Sequence, residues 1–212
     1  MSRRPLVAVV DYGAGNLVSI DQALTTVGAD VRIIHDDHGI ADADALVVPG
    51  VGAAAPAMAR LGRQGLTEPI RAWLSAGRPF LGICLGLQLL FEASDEDGAV
   101  TLGVLPGRTV RLENAPTLPH IGWNQVERTR EHALFDGIDD GADFYFVHSY
   151  VGEPARGPAL AGQVELARTT HGRAFTSAVA RGSLLGVQFH PERSGRDGLR
   201  LLRNVVELVR AA

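Results

Sequence analysis

The chain has 212 residues, of which 46% are hydrophobic and 21% charged, a composition typical of a globular protein long enough to bury a core. Its net charge of −4 is too small to indicate nucleic-acid binding, and the absence of lysine excludes a Schiff-base lysine and a Walker A phosphate loop. No apolar run approaches the roughly 18 residues that cross a membrane, so we expect a cytoplasmic protein whose single cysteine stays reduced.

The first half of the chain alternates apolar runs with helical patterns. Leu6–Val10 is predicted to be a buried strand, and the apolar residues from Leu17 to Val27 recur at helical spacing after Asn16, a plausible N-cap. This alternation predicts βαβ units and hence a parallel sheet with helices on both faces. Further strands are predicted over Val31–Ile34, Ala45–Val48 and Pro79–Ile83, with helical material from about Ala54 to Ser75.

The second half has a different sequence pattern. Proline and glycine separate short β-like runs there, which indicates added antiparallel strands. Leu184–Phe189 is predicted to be a final buried strand, and Gly195–Ala212 closes with an amphipathic helix. We therefore predict one α/β domain over residues 1–212, with a mostly parallel central sheet. The short runs are Thr109–Leu112, Gln125–Glu127, Phe144–His148, Gln163–Arg168 and Phe175–Ala180.

The only cysteine, Cys84, lies between two glycines in the segment Gly82-Ile83-Cys84-Leu85-Gly86. A strand, a cramped turn that carries a nucleophile and then a helix form a nucleophile elbow. Glycines at both sides remove the Cβ atoms that would collide there, and a helix N-terminus favours the thiolate. The residues alone leave a second interpretation open, a buried structural cysteine.

A histidine follows the last predicted strand, in the segment Gln188-Phe189-His190-Pro191-Glu192. The end of that strand places His190 at the same edge of a parallel sheet as Cys84, where open α/β folds assemble their sites. His190 can exchange protons with the thiol and with a leaving amine, and Glu192 can orient the imidazole. Taken alone, the pattern around His190 favours a surface histidine before a proline. Taken together with the Cys84 elbow, it favours a catalytic pair.

Two glycine clusters invite a nucleotide-binding interpretation. Gly13 and Gly15 follow the first strand, but Val18 stands where a dinucleotide motif has its third glycine. Gly50 and Gly52 match the spacing but follow the third strand, so for both clusters we favour a tight βα turn. Backbone N–H groups of residues 50–52, next to a nucleophile, can also form an oxyanion hole.

Five other histidines are less informative. His35, His38, His132 and His171 stand in polar or turn-like contexts and are expected to be solvated, and His120 is expected in a loop that enters a strand. No Cys/His or Glu/His spacing typical of a metal site is present, so we predict no metal and no cofactor.

The pairing of Gly-Ile-Cys-Leu-Gly-Leu-Gln with a distal His-Pro-Glu resembles the class I glutamine amidotransferases. Within that family the chain is similar to the glutaminase subunits of imidazole glycerol phosphate synthases, which act in histidine biosynthesis. The narrower resemblance rests on residues 11–17, 49–52, 119–124 and 144–150. The chain departs from the family pattern at Ala54-Ala55-Pro56, where a bulkier residue and a helix start are expected.

The resemblance implies that Cys84 attacks the side-chain amide of glutamine, forming a thioester and ammonia, and that water activated by His190 releases glutamate. It also assigns the residues around this centre. Val51 and Leu85 would supply the oxyanion N–H groups, and Gly50, Gly52, Gln88, Glu96 and Ser149 would hold glutamine.

The resemblance also implies a partner, a cyclase subunit with a TIM-barrel fold, which would form a heterodimer with this chain and consume its ammonia. Trp123, Asn124 and Tyr145 are our candidates for the interface, because aromatic anchors favour interface centres. Low activity of the isolated subunit is expected, and a misplaced oxyanion N–H in residues 50–52 is our hypothesis for its cause. The alternatives are the glutaminase of another synthase, such as anthranilate synthase, a noncatalytic redox-sensing protein, and a nucleotide-binding module.

Overall fold

The computed structural model describes residues 3–155 and 164–212. Within these ranges the helices are α1 Leu17–Thr26, α2 Ala54–Arg63, α3 Thr67–Ser75, α4 Leu85–Gln88 and α5 Gly195–Ala211. The strands are β1 Leu6–Val10, β2 Asp30–Ile34, β3 Ala45–Gly50, β4 Phe80–Cys84, β5 Ala93–Ser94, β6 Gly107–Arg111, β7 His120–Arg128, β8 Ala142–His148, β9 Tyr150–Pro154, β10 Glu165–His171, β11 Arg173–Arg181 and β12 Leu184–Val187.

Nine of these strands form one mixed sheet in the order β2-β1-β3-β4-β12-β11-β10-β7-β8. The first five strands of this order run parallel, and each later strand runs antiparallel to its neighbour. The strands β5, β6 and β9 form a separate small sheet. The predicted parallel sheet with added antiparallel strands is thus confirmed.

Helices cover both faces of the parallel strands, as predicted. Successive residues of a strand point to opposite faces, and in β1 Val7 packs with α1 and α5, whereas Ala8 packs with α2 and α3. Two apolar cores result, one on each face, and strands buried on both faces read as continuous apolar runs.

Several element boundaries differ from the sequence-based expectation. The helical stretch 54–75 is two helices, separated at Gly65, whose φ of +69° favours glycine. Strand β7 begins at His120, in place of the predicted loop. The strands β5 and β9 were not predicted, and Gln163, the predicted start of one strand, lies outside the described residues.

The topology determines where a site can form. Strands β3, β4 and β12 are neighbours and run parallel, with Gly50 opposite Cys84 and Val187 opposite Ile83. Their carboxyl ends therefore meet at one edge, where residues 50–52, Cys84 and His190 follow one another in space.

Candidate active site

Cys84 occupies a strained turn between β4 and α4. Its φ of 54° and ψ of −107° lie in a region that non-glycine residues rarely adopt, as expected of a nucleophile elbow. Cys84 is 4% exposed. The helix that follows has a single turn, so the nearby N–H groups of that turn, rather than a long helix dipole, act on the sulfur.

The two glycines beside Cys84 allow strand and helix to approach closely. A Cβ atom at Gly82 would lie 2.6 Å from the carbonyl oxygen of Gly86, and one at Gly86 would lie 1.8 Å from the carbonyl oxygen of Val48. Both distances are too short for a non-bonded contact between a carbon and an oxygen atom. The steric role predicted for these glycines is therefore confirmed.

His190 and Glu192 form a buried pair next to Cys84. The His190 Nδ1 atom lies 2.8 Å from Glu192 Oε1, and the backbone N–H of His190 donates to the Tyr145 carbonyl at 2.8 Å. Nε2 of His190 has no hydrogen-bond partner within the described residues. Glu192 therefore fixes the imidazole and leaves Nε2 available for proton exchange.

The charge state of His190 depends on its neighbours. Burial alone would lower the pKa of His190, because it disfavours the imidazolium form. The negative charges of a Cys84 thiolate and of Glu192 outweigh burial and raise the pKa of His190 to about 10. The imidazolium form of His190 is thus stabilised in this site while a negative charge is present on Cys84.

A cleft of about 190 Å³ opens in front of the cysteine. It is lined by most of the residues assigned from the sequence, and by a wall from Val147 to Tyr150. Gly50, His190, Glu192 and the predicted interface residues do not line it. The assigned residues in the lining are Val51, Gly52, Cys84, Leu85, Gln88, Glu96 and Ser149.

Gln88 and Glu96 offer acceptors to this cleft. The amide nitrogen of Gln88 donates to the Tyr150 carbonyl at 2.8 Å and to Gln188 Oε1 at 3.2 Å, which leaves the Gln88 oxygen for a ligand. Burial, and then the charge of Asp97, raise the pKa of the Glu96 carboxyl. Two acceptor groups in one cleft suit a ligand with an ammonium group.

The predicted oxyanion segment, residues 50–52, starts at Gly50, the last paired residue of β3, and continues past the end of the strand. Leu46 N–H donates to the Pro79 carbonyl, which lies on the β4 side. In a parallel strand the N–H and C=O groups of one residue point to the same neighbouring strand, and those of every second residue point the same way. The Gly50 carbonyl is therefore directed at β4, near Leu85. Because a trans peptide points its N–H opposite to its carbonyl, Val51 N–H is directed away from Leu85.

The segment after the oxyanion glycines has a regular geometry despite its departure from the family pattern. Gly52 has a φ of +93°, and α2 begins at Ala54. Asp97 accepts a hydrogen bond from Ala55 N–H at 2.6 Å. This carboxylate serves as a cap that the Ala53 side chain cannot provide.

The predicted interface residues lie on the hairpin of β7 and β8. Trp123 is 56% exposed and packs edge to face on Tyr145, with ring centroids 6.1 Å apart. The Asn124 amide is used within the protein, since it contacts His120 Nε2 at 3.1 Å and donates to the Thr170 carbonyl at 2.9 Å. Trp123 is thus the most accessible of the three.

The sequence pattern did not single out His148, which lines the cleft. His148 Nδ1 lies 3.1 Å from the Tyr150 carbonyl, and its Nε2 lies 3.0 Å from His120 Nδ1. Burial, and then the neighbouring histidine, lower the pKa of His148 to about 3; burial, and then His171, lower that of His120 to about 4. Both rings are neutral at pH 7 and form a directional chain from Asn124 to Tyr150.

Two further expectations change in the structure. His171 belongs to β10 and stacks on His120 with ring centroids 4.0 Å apart, so it is not a solvated turn residue. His132 caps a short 3-10 helix, Ala133–Phe135. In the described ranges we find no cluster of three or more potential metal ligands and no helix with the length and apolarity to cross a bilayer.

Two hydrogen bonds hold the loop that contains Gly13, one from within the loop and one from Arg60 in α2. Gly13 N–H donates to Asp11 at 2.8 Å, and Arg60 donates to the Gly13 carbonyl at 2.8 Å. Gly13 and Gly15 both have positive φ values. These contacts are those of a tight βα turn, the interpretation favoured from the sequence.

A comparison with protein families matches residues 8–208 to the model described as "Glutamine amidotransferase class-I". Three relatives bear the name imidazole glycerol phosphate synthase subunit HisH. The relative from Moorella thermoacetica is 48% identical over 97% of this chain and 96% of its own. The relatives from Symbiobacterium thermophilum and Methanothermobacter thermautotrophicus are 49% and 44% identical, over 93% and 97% of this chain and 92% and 100% of theirs.

Solved structures share the fold at low sequence identity. A glutamine amidotransferase from Thermotoga maritima superposes with a TM-score of 0.70 at 17% identity and covers 100% of both chains. A chain of PurLQS from the same organism gives a TM-score of 0.74 at 18% identity, over 97% of this chain and 99% of its own. These similarities support the architecture independently of the motifs.

Proposed function

Since this chain belongs to the class I glutamine amidotransferases and, among them, to the HisH subunits of imidazole glycerol phosphate synthase, we propose that it hydrolyses glutamine at Cys84 and delivers the ammonia to a cyclase subunit. The observation that carries this proposal is the buried Cys84, His190 and Glu192 group behind a cleft with acceptors for an ammonium group.

In the first half-reaction the Cys84 thiolate attacks the side-chain carbonyl carbon of glutamine, and a C–S bond forms. The carbonyl oxygen becomes an oxyanion. His190 then protonates the amide nitrogen, and the C–N bond breaks. Ammonia leaves, and the glutamyl group stays on Cys84 as a thioester. The raised pKa of His190 suits this role, because it keeps the imidazole protonated while the thiolate is present.

In the second half-reaction the thioester no longer carries the thiolate charge. The main cause that raises the pKa of His190 is then removed, so burial lowers that pKa and the ring becomes a base. Nε2 takes a proton from water, the hydroxide attacks the thioester, and the C–S bond breaks to release glutamate. One histidine thus serves as acid and base because its neighbour's charge changes.

The oxyanion needs N–H donors, and Leu85 and Val51 are the proposed ones. The direction of the Gly50 carbonyl supports a resting conformation in which Val51 N–H faces away from the site. Rotation of the Gly50–Val51 peptide would bring both donors to the oxyanion. We expect partner binding to favour that rotation, which would explain the low activity expected of the isolated subunit. One lost oxyanion donor lowers turnover by roughly 10²–10³-fold.

Glutamine would lie in the cleft with its ammonium group at Glu96 and the Gln88 oxygen. Its carboxylate would face backbone N–H groups near Ser149 and Gly52. Gly50 packs too closely on Tyr12 to carry a side chain, since a Cβ atom there would lie 1.9 Å from the Tyr12 hydroxyl. Gly50 therefore sets the backbone path next to the cleft without lining it.

The partner proposed is a cyclase subunit with a TIM-barrel fold, bound as a heterodimer in the cytoplasm. It would use ammonia to form imidazole glycerol phosphate and aminoimidazole carboxamide ribotide. Free ammonia would become ammonium in neutral water, which is not a nucleophile, so direct delivery has a chemical reason. The exposed Trp123, next to Tyr145, which holds the backbone of His190, supports the β7–β8 hairpin as the contact.

The test is glutamate release by the purified chain, alone and with the cyclase subunit and its ribotide substrate. We expect strong stimulation by the cyclase and loss of release in Cys84→Ala with the fold retained. As a matched comparison, the synthase subunit of anthranilate synthase should give no stimulation. Stimulation by that subunit alone would contradict the proposed partner.

A further inference from the structure

One buried side chain in the site has no role in the steps above. Gln188 lies two residues before His190 and is 0% exposed. Its side-chain nitrogen donates to the Cys84 sulfur at 3.6 Å. Gln188 and His190 therefore both act on the nucleophile, Gln188 through this contact and His190 through its charge.

The orientation of the Gln188 amide follows from its neighbours. Gln88 contacts the Tyr150 carbonyl, which can only accept, so the Gln88 atom there is the nitrogen. The same nitrogen donates to Gln188 and therefore faces the Gln188 oxygen. The Gln188 nitrogen is therefore the atom that faces the sulfur. A flip of the Gln188 amide would break its contacts with both Gln88 and Cys84.

This geometry distinguishes the two forms of Cys84. A neutral thiol can donate to the Val147 carbonyl, which lies 3.8 Å from the sulfur. A thiolate has no proton to donate, and its favourable partners are the Gln188 N–H and the His190 imidazolium. Because the amide is buried, no water replaces it, and hydrogen bonds to charged acceptors are the stronger ones.

We propose that Gln188 is a catalytic residue that holds the Cys84 thiolate through its side-chain N–H, and that Gln88 is the positioning residue that orients Gln188. The inference rests on the glutaminase reaction proposed above. In this proposal the two polar atoms of Gln88 have separate roles. Its nitrogen donates to Gln188 and Tyr150, and its oxygen accepts from the substrate.

The main variant is Gln188→Glu. It retains an acceptor for Gln88 but removes the donor and places a carboxylate beside the sulfur. We expect kcat for glutamine, measured with the cyclase partner, to fall roughly 10- to 100-fold, with KM changed less than about threefold, since substrate contacts are untouched. Gln188→Met, which removes both polar atoms at similar volume, should lower kcat in the same direction.

The second readout is independent of turnover. Iodoacetamide alkylates the thiolate of Cys84, so its rate as a function of pH reports where the thiolate forms. We expect this profile to move to higher pH in both variants, further in Gln188→Glu. His190 and Tyr12, which interact with the charge of Cys84, and Glu192, which pairs with His190, are unchanged in both variants.

The matched control is Gln22→Glu, which makes the same change on the exposed face of α1. It should leave kcat and the alkylation profile as in the parent chain. A parent-like kcat and profile in folded Gln188→Glu would overturn the inference, even if Gln188→Met fails to fold. A parent chain that releases no glutamate with the cyclase would instead refute the glutaminase reaction, while the alkylation profile still decides the role of Gln188.

Discussion

At the scale of single residues, the chemistry depends on how the charge of Cys84 controls His190. The thiolate and Glu192 raise the pKa of His190 to about 10 against the effect of burial. In the proposed mechanism the histidine is therefore an acid before acylation and a base after it. Glu192 contributes to the first state and also fixes the ring in both.

The variant Glu192→Gln tests this dependence. It removes one of the charges that raise the pKa of His190, so the alkaline limb of the pH profile of kcat/KM should move to lower pH. Turnover should fall roughly 10²-fold, the usual contribution of a positioned acid–base group. Steady-state assays with the partner from pH 6 to 10 measure both effects.

Glu68→Gln is the matched control for this change, because Glu68 is an exposed residue paired with Arg71 on α3. Its pH profile should coincide with that of the parent. An alkaline limb that does not move in Glu192→Gln would show that Glu192 does not set the protonation of His190.

At the scale of elements, the elbow depends on close contact between β4, α4 and β3. Gly86→Ala would place a Cβ atom 1.8 Å from the Val48 carbonyl, and the strand cannot move aside within a packed sheet. We expect a loss of about 2 kcal/mol or more in the free energy of unfolding, as for other overpacked core sites. Urea denaturation followed by circular dichroism gives the value.

Gly62→Ala serves as the opposite control. Gly62 lies in α2, and the nearest atom to a new Cβ would be 4.0 Å away. Alanine should therefore stabilise the chain by about 0.5–1 kcal/mol. If both variants have the same stability, crowding at the elbow does not explain the glycine at position 86.

The histidine chain beside the cleft predicts an acid sensitivity at the same scale. The ordinary pKa of histidine is 6.5, and that of His148 is lowered to about 3 by burial and then by His120. As pH falls below 6.5 the unfolded state binds the proton first, so the free energy of unfolding decreases. In His148→Gln the decrease between pH 7 and pH 5 should be smaller, as measured by urea midpoints.

His38→Gln is the control for this measurement, because the His38 side chain is 89% exposed. It should retain the decrease seen in the parent chain. An equal decrease in the His148 variant would contradict the neutral, buried state of that ring.

At the scale of the whole molecule, the sequence was most informative where chemistry follows a strand end. Cys84 and His190 could be predicted because each ends an apolar run, and parallel strands bring such ends together. Gln188 could not, because it lies inside an apolar run and its function depends on Gln88, 100 residues away. Strand β5 has two residues, too few for a periodic pattern, so the small sheet was missed.

The long hairpin of β7 and β8 gives a prediction about assembly. Trp123 is exposed and rests on Tyr145 without support from the core, so Trp123→Ala should change the free energy of unfolding by less than about 0.5 kcal/mol. Binding to the cyclase should weaken by roughly 30-fold or more, as for an aromatic interface anchor. Calorimetric titration measures the affinity, and Val100→Ala, another exposed apolar residue, should bind as the parent does.

The most direct measurement of the central claim is the intact mass of this chain after the complex with the cyclase is mixed with glutamine and quenched in acid within one turnover. We predict that the chain gains one glutamyl group, that peptide analysis places it on Cys84, and that Cys84→Ala gains none and releases no glutamate. Glutamate release by Cys84→Ala, or a glutamyl group on another residue, would contradict the assignment of Cys84 as the nucleophile.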